Sequence, residues 1–98
     1  MAVVMMMKKE ENSWHVYIVC CRDGTYYTGI ARNLARRIRE HNSLKGGARY
    51  TRSRRPVQLV YAEPAPSRSA AAKREYQLKR MPLARKKELI GAAQLLLI

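Results

Sequence analysis

This 98-residue sequence predicts a small α+β domain, a three-stranded and mostly antiparallel sheet flanked by helices in the order β-β-α-β-α-α. Three observations point there. Two runs rich in apolar, β-branched and aromatic residues, Trp14 to Cys21 and Thr25 to Ile30, are separated only by Arg22-Asp23-Gly24, the pattern of a β-hairpin. A third such run, Val57 to Ala62, lies between Pro56 and Pro64. The remaining segments open on capping residues and carry helical periodicity. A chain of this length is one domain and buries roughly 60 to 65% of the surface its unfolded form exposes, and a 47% hydrophobic content supplies the core.

Residues 1–12 read as a loose tail. The Met1 to Met7 stretch is interrupted by Lys8, Lys9, Glu10 and Glu11, too soon for a secretory signal. In the hairpin, loop length decides which side chains share a face, because they alternate along each strand. A two-residue turn puts Tyr17 and Tyr27 on opposite sides. A three-residue loop with Gly24 left-handed pairs Cys21 with Thr25, Val19 with Tyr27 and Tyr17 with Gly29, and both phenols then share one face. The three-residue loop is the expectation here. Gly29 then leaves space above the Tyr17 ring for a ligand, or marks a bulge. Cys20 and Cys21 point to opposite faces, a poor geometry for a disulfide or a shared zinc site. With no disulfide framework, a reducing cytoplasm is the expected compartment.

Asn33 is a suitable N-cap for a helix to about Leu44. With Leu34 set at 0° on a helical wheel, Ile38 falls near roughly 40°, His41 near −20° and Arg37 near −60°, so Arg37 and His41 flank the buried stripe. Arg36, Arg39 and Glu40 face solvent or a partner. Lys45 to Pro56 reads as a loop whose Gly46-Gly47 pair caps the helix or presents backbone N–H groups to phosphate. Ser67 or Ser69 caps a helix to about Arg80, and Pro82 opens another reaching roughly Ala93. The Leu95 to Ile98 tail reads as core-completing, with a weak dimer contact as the alternative to a simple monomer.

The net charge of +13 argues for a polyanionic partner. Between Arg32 and Arg55 lie nine Arg or Lys residues, eight of them Arg, against the single acid Glu40. The arginine fork suits phosphate. Arg36, Lys45, Arg49, Arg52, Arg54 and Arg55 are accordingly candidate nucleic-acid contacts, with Gly29, Gly46 and Gly47 as close-approach points. Tyr50 is a candidate platform for an unpaired base. No run of about 18 apolar residues is present to make a transmembrane helix.

Among seven acids only Glu75 lies on the stripe of its helix that carries Ala71 and Leu78, so it needs a partner. Lys79 at i+4 is one candidate; a divalent cation is the other, since magnesium takes one or two carboxylates plus waters and phosphate oxygens.

Tyr17, Tyr27-Thr28-Gly29, Arg37 and Glu75, in this order and on these elements, resemble the GIY-YIG nuclease superfamily over residues 14–90. A closer likeness is to its small single-domain YhbQ-like group, through Trp14-His15-Val16-Tyr17, Asp23-Gly24, Arg36-Arg37, Glu40-His41-Asn42 and Gly46-Gly47-Ala48-Arg49-Tyr50-Thr51. His15 and Val16 stand where the first motif has glycine and isoleucine, and Thr28 where the second has isoleucine. The resemblance implies a metal-dependent nuclease that hydrolyses DNA phosphodiester bonds, with structure-specific cleavage as one form of that activity and DNA or RNA as partner. It also implies Tyr17 as general base, Tyr27 as the residue positioning water or phosphate, Arg37 as phosphate grip, His41 as proton relay and Glu75 as ligand of Mg2+ or Mn2+. The two tyrosine roles are interchangeable. Read one at a time, the tyrosines are also ordinary cross-strand aromatics, Arg37 a phosphate clamp and His41 a helix-end cation. The alternative function is a catalytically inactive module binding RNA or branched DNA.

Overall fold

The computed structural model describes residues 13–95, so the expected N-terminal tail (1–12) and most of the apolar tail lie outside the described residues. Three strands, β1 (Trp14–Cys20), β2 (Tyr26–Ala31) and β3 (Gln58–Ala65), form an antiparallel sheet in the order β2-β1-β3. Helix α1 (Leu34–His41) follows the hairpin, a one-turn helix α2 (Arg49–Arg52) interrupts the next connection, and α3 (Arg68–Arg80) and α4 (Leu83–Leu95) follow β3.

The central strand explains the division of the core. Val16, Tyr17, Ile18 and Val19 are all buried, because β1 is paired on both edges and covered on both faces. Its odd positions Tyr17 and Val19 pack with Cys21, Ala31, Leu34 and Val57. Its even positions Val16 and Ile18 pack with Ala71, Leu78 and Ile90 of α3 and α4. Period-2 alternation thus sends one strand into two cores.

The hairpin has the three-residue register. Val19 opposes Tyr27 and Tyr17 opposes Gly29; the Cys21 N–H donates to the Thr25 carbonyl at 2.8 Å, and Gly24 takes φ +85°. Asp23 Oδ1 accepts from the Thr25 N–H and hydroxyl, closing the loop locally.

Three boundaries differ from expectation. Strand β3 continues past Ala62 through Pro64 to Ala65, which an edge strand permits because the N–H missing from proline can lie on the unpaired side. Helix α1 stops at His41 rather than near Leu44. There the Asn42 side chain donates to the Val57 carbonyl (3.1 Å) and accepts from its N–H (2.7 Å), drawing the chain off the helix axis and anchoring the start of the third strand. The loop after it contains α2, whose Thr51 is fully buried. The caps at Asn33 and Ser67 form, each side chain accepting from the backbone N–H three residues on. Among the described residues no helix is long and apolar enough to cross a membrane.

Candidate active site

Tyr17 is the hub. Gly29, directly opposite on the edge strand, lies beneath its phenol: a Cβ added to Gly29 would stand 2.5 Å from Tyr17 Oη and 2.7 Å from Cζ. The space expected for a ligand is therefore filled by the Tyr17 ring, whose hydroxyl lies over the outermost strand. Gly29 is a close-approach residue for Tyr17, a correction to its expected ligand contact.

The hydroxyl meets His41 Nε2 at 2.6 Å, and both groups are buried. On the other side of the imidazole, Nδ1 lies 2.8 Å from Thr51 Oγ1, whose single proton is directed to the Ala48 carbonyl at 3.0 Å. Thr51 then accepts from Nδ1–H, leaving Nε2 to accept from the phenol. The Ala48 N–H also approaches Nδ1, at 3.4 Å the longest contact on the ring, and the shorter contacts to Thr51 and Tyr17 favour the proton on Nδ1. Gly47, at φ +87°, lets this loop close on the helix: a Cβ there would meet His41 Cα at 2.8 Å.

Arg37 comes from the turn of α1 before His41. Its Nη1 donates to Glu40 Oε1 at 3.0 Å, and its positive charge favours ionisation of the Tyr17 phenol. Glu40, expected to face away, folds back to accept from both Arg37 and Arg36 (3.3 Å), because it shares a helix face with each at i−3 and i−4. Glu75, on α3 beneath the sheet, is close enough for its charge to act on Tyr17. Its Oε2 pairs with Lys79 Nζ at 3.3 Å, the i+4 partner foreseen from spacing. Tyr27 packs edge-on against the same imidazole as Tyr17, with centroid separations of 5.4 and 5.7 Å.

Burial dominates the electrostatics. It pushes the Tyr17 phenol up to about 12, with Tyr27 and Glu75 adding to the rise, although the Arg37 hydrogen bond and charge pull the other way. Burial also pushes His41 down to about 4, and the Arg37 charge adds to that. His41 is thus held neutral, against the helix-end cation reading. Both shifts favour the neutral phenol beside the neutral imidazole. The resting pair is neutral.

The candidate nucleic-acid contacts divide into two groups. Lys45, Arg49 and Arg52 are exposed, and Arg36 is exposed with a single pairing to Glu40. The others are engaged within the chain. Arg54 binds Asp23 Oδ2 (3.0 Å) and the Tyr50 carbonyl (2.8 Å), and its guanidinium lies 4.0 Å from the Tyr50 ring centroid. Tyr50 also stacks on Tyr27 at 6.0 Å, so the expected base platform is occupied by its own neighbours. Arg55 donates to the Ser43 carbonyl, and the Gly46 N–H donates to Ser43 Oγ at 2.8 Å, which closes off Gly46 as an amide for phosphate.

Thr51 and Glu40 are the members that sequence reasoning missed in their roles. The signal available for Thr51 was its place after Gly46-Gly47-Ala48, where a glycine-permitted reversal carries the chain back to the end of α1.

Comparison with known proteins identifies the family. The GIY-YIG catalytic domain matches residues 13–88. A UPF0213 protein from Desulfotalea psychrophila is 53% identical over 94 residues, covering 96% of this chain and 86% of the relative. One from Staphylococcus saprophyticus is 49% identical over 77 residues, covering 79% and 93%. Among solved structures, the UPF0213 protein BH0048 from Bacillus halodurans superimposes with a TM-score of 0.53 at 40% identity over 82% of this chain and 84% of that one. EF2693 from E. faecalis gives 0.55 at 35% identity over 84% and 88%. With the family model matching most of its length and a relative about half identical over nearly all of it, this chain belongs to the GIY-YIG nuclease superfamily, in its small single-domain UPF0213 group.

Proposed function

We propose that this protein is a divalent-metal-dependent nuclease that hydrolyses phosphodiester bonds in DNA. One observation carries the reading: a tyrosine hydroxyl over an edge strand, 2.6 Å from a buried imidazole, on the sheet face that the Arg37-bearing helix covers. Phosphodiester cleavage needs an oriented water, charge relief at phosphorus and stabilisation of the departing oxyanion.

The residues fit a single cation. Among the described residues no three His, Cys, Asp or Glu side chains cluster, which is unlike a closed protein cage and suits magnesium or manganese held through one carboxylate, waters and substrate oxygens. Glu75 is that carboxylate. It is 23% exposed, and its pairing with the half-exposed Lys79 is worth only a few tenths of a kcal/mol. The ion, when bound, supplies Lewis acidity to the scissile phosphate.

Tyr17 serves as the general base, with His41, whose Nε2 stands 2.6 Å from the hydroxyl, taking its proton. Arg37 keeps further N–H donors beyond the one used by Glu40, and these grip the phosphate. Tyr27 borders the same space and positions water or phosphate. A second reading, a catalytically silent nucleic-acid holder, draws support from the phenol at about 12, an unfavourable value for a base.

The test is a panel of single-stranded, duplex, flap and junction DNAs, with RNA alongside, incubated with Mg2+ or Mn2+. Metal-dependent products that vanish in Glu75→Ala support the nuclease. Intact substrates throughout, with binding retained, leave the holder.

A further inference from the structure

Arg37 has a second neighbourhood. An open basin of about 540 Å3 lies where β1 begins and β2 runs into α1, and its walls include Trp14, Ile30, Asn33, Arg36, Arg37 and Glu40. That volume is in the range of small-ligand sites, roughly 300 to 1,000 Å3. Tyr17, Tyr27, His41 and Glu75 take no part in its lining, so Arg37 is the wall common to the two places.

The lining joins a flat indole to guanidinium groups, the pairing of surfaces that suits a base and its phosphate. Trp14 is half-buried at the start of β1, and the Arg68 guanidinium, at the start of α3, stands 5.9 Å over its ring. The same helix carries Glu75 seven residues on, about 10 Å along the axis. Tyr50, by contrast, has Arg54 at 4.0 Å and Tyr27 stacked against it, whereas Trp14, packed on its inner side against the cluster of Val16, Ile18 and Ala71, lines the basin. A base inside a duplex has its faces covered by neighbours, whereas an unpaired one offers a face to an aromatic ring.

We propose that this basin is the subsite for one unpaired nucleotide next to the scissile phosphate, its base stacked on Trp14 and its phosphate held by Arg36. The position relative to the scissile phosphate rests on the nuclease reading; the binding does not.

Trp14 is the sole tryptophan of the chain, so its fluorescence reports on the basin directly. Glu75→Gln protein without divalent metal is titrated with a short unstructured oligodeoxythymidylate, with a blunt duplex, and with an abasic oligomer of equal charge. The expected result is saturable quenching by the first and little by the other two. In parallel, anisotropy of a labelled oligomer reads Trp14→Leu, and Arg36→Ala as a surface change that leaves folding intact. Each is expected to weaken single-strand binding several-fold, about ten-fold for Trp14→Leu, with duplex binding changed far less by Trp14→Leu. Equal quenching by the abasic oligomer or the duplex, or unchanged single-strand affinity in Arg36→Ala together with a folded Trp14→Leu, overturns the proposal. Discrimination without cleavage keeps the subsite and removes the nuclease reading; cleavage indifferent to both variants does the reverse.

Discussion

Tyr17 and His41 share a buried hydrogen bond of 2.6 Å in which the phenol donates and the imidazole accepts, and the buried Thr51 hydroxyl fixes which ring nitrogen is free to accept. Thr51→Val keeps the volume and removes that hydroxyl. It should cost about 1 to 3 kcal/mol, the penalty of a buried polar group left without a partner, and lower cleavage through loss of the correct tautomer. Thr51→Ser should restore both. Urea denaturation and initial cleavage rates measure the pair, and equal stability of the valine and serine variants would contradict this role.

Gly29→Ala brings a methyl group to 2.5 Å from Tyr17 Oη. Overpacking of this kind costs about 1 to 3 kcal/mol. In a Tyr17→Ala background the same substitution should be nearly free. A cost that is the same in both backgrounds would mean that the ring does not lie over Gly29.

His41 is held neutral, its value lowered from 6.5 to about 4. Below pH 6.5 the unfolded chain takes up a proton that the folded chain refuses, so the unfolded state gains. Stability should therefore fall as the pH drops from about 6.5 towards 4, by up to about 1.4 kcal/mol per pH unit from this one group. Chemical denaturation at pH 7 and pH 5 reads the slope, which His41→Gln should flatten. An unchanged slope in that variant would place the acid sensitivity elsewhere.

Lys79 competes with any cation for Glu75. Lys79→Ala should leave the melting temperature almost unaltered and lower the metal concentration needed for half-maximal cleavage. Arg37→Ala and Glu75→Gln should abolish cleavage with DNA binding largely kept. A higher metal requirement in Lys79→Ala would argue against Glu75 as the ligand.

The arginines should separate by experiment as they do by geometry. Replacing exposed Arg49 and Arg52 with alanine should flatten the salt dependence of duplex binding by roughly 0.9 for each phosphate no longer neutralised. Arg54→Ala, which removes the bond to Asp23 and the packing on Tyr50, should lower stability more than it alters that slope. A salt titration of each variant against a melting curve decides it.

Much of the fold was readable because the relevant physics is local. Counting Arg22-Asp23-Gly24 sets the hairpin register, and strand alternation then puts both phenols on one face. The helical wheel sets His41 beside the buried stripe, where the fold then buries it fully, and it orients Glu75 with Ala71 and Leu78. What was not readable depends on surfaces meeting across the chain. The Gly47 reversal that brings Thr51 to His41 has no periodicity to detect. The pairing of Arg54 with both Asp23 and Tyr50 joins segments that no spacing rule connects. Proton affinities follow from burial, and burial of Tyr17 follows from the whole sheet, so no local pattern shows that its phenol is raised.

The tie between Arg54 and Asp23 bears on how the protein can be engineered. A reverse turn at the tip of a hairpin is the customary place to splice in an epitope tag or a fluorescent reporter. Here that tip is latched to the segment that secures the histidine, and an insert would loosen chemistry some distance away. The exposed Pro66-Ser67 junction between β3 and α3 is the safer graft point on the downstream side, provided the serine that caps α3 is kept.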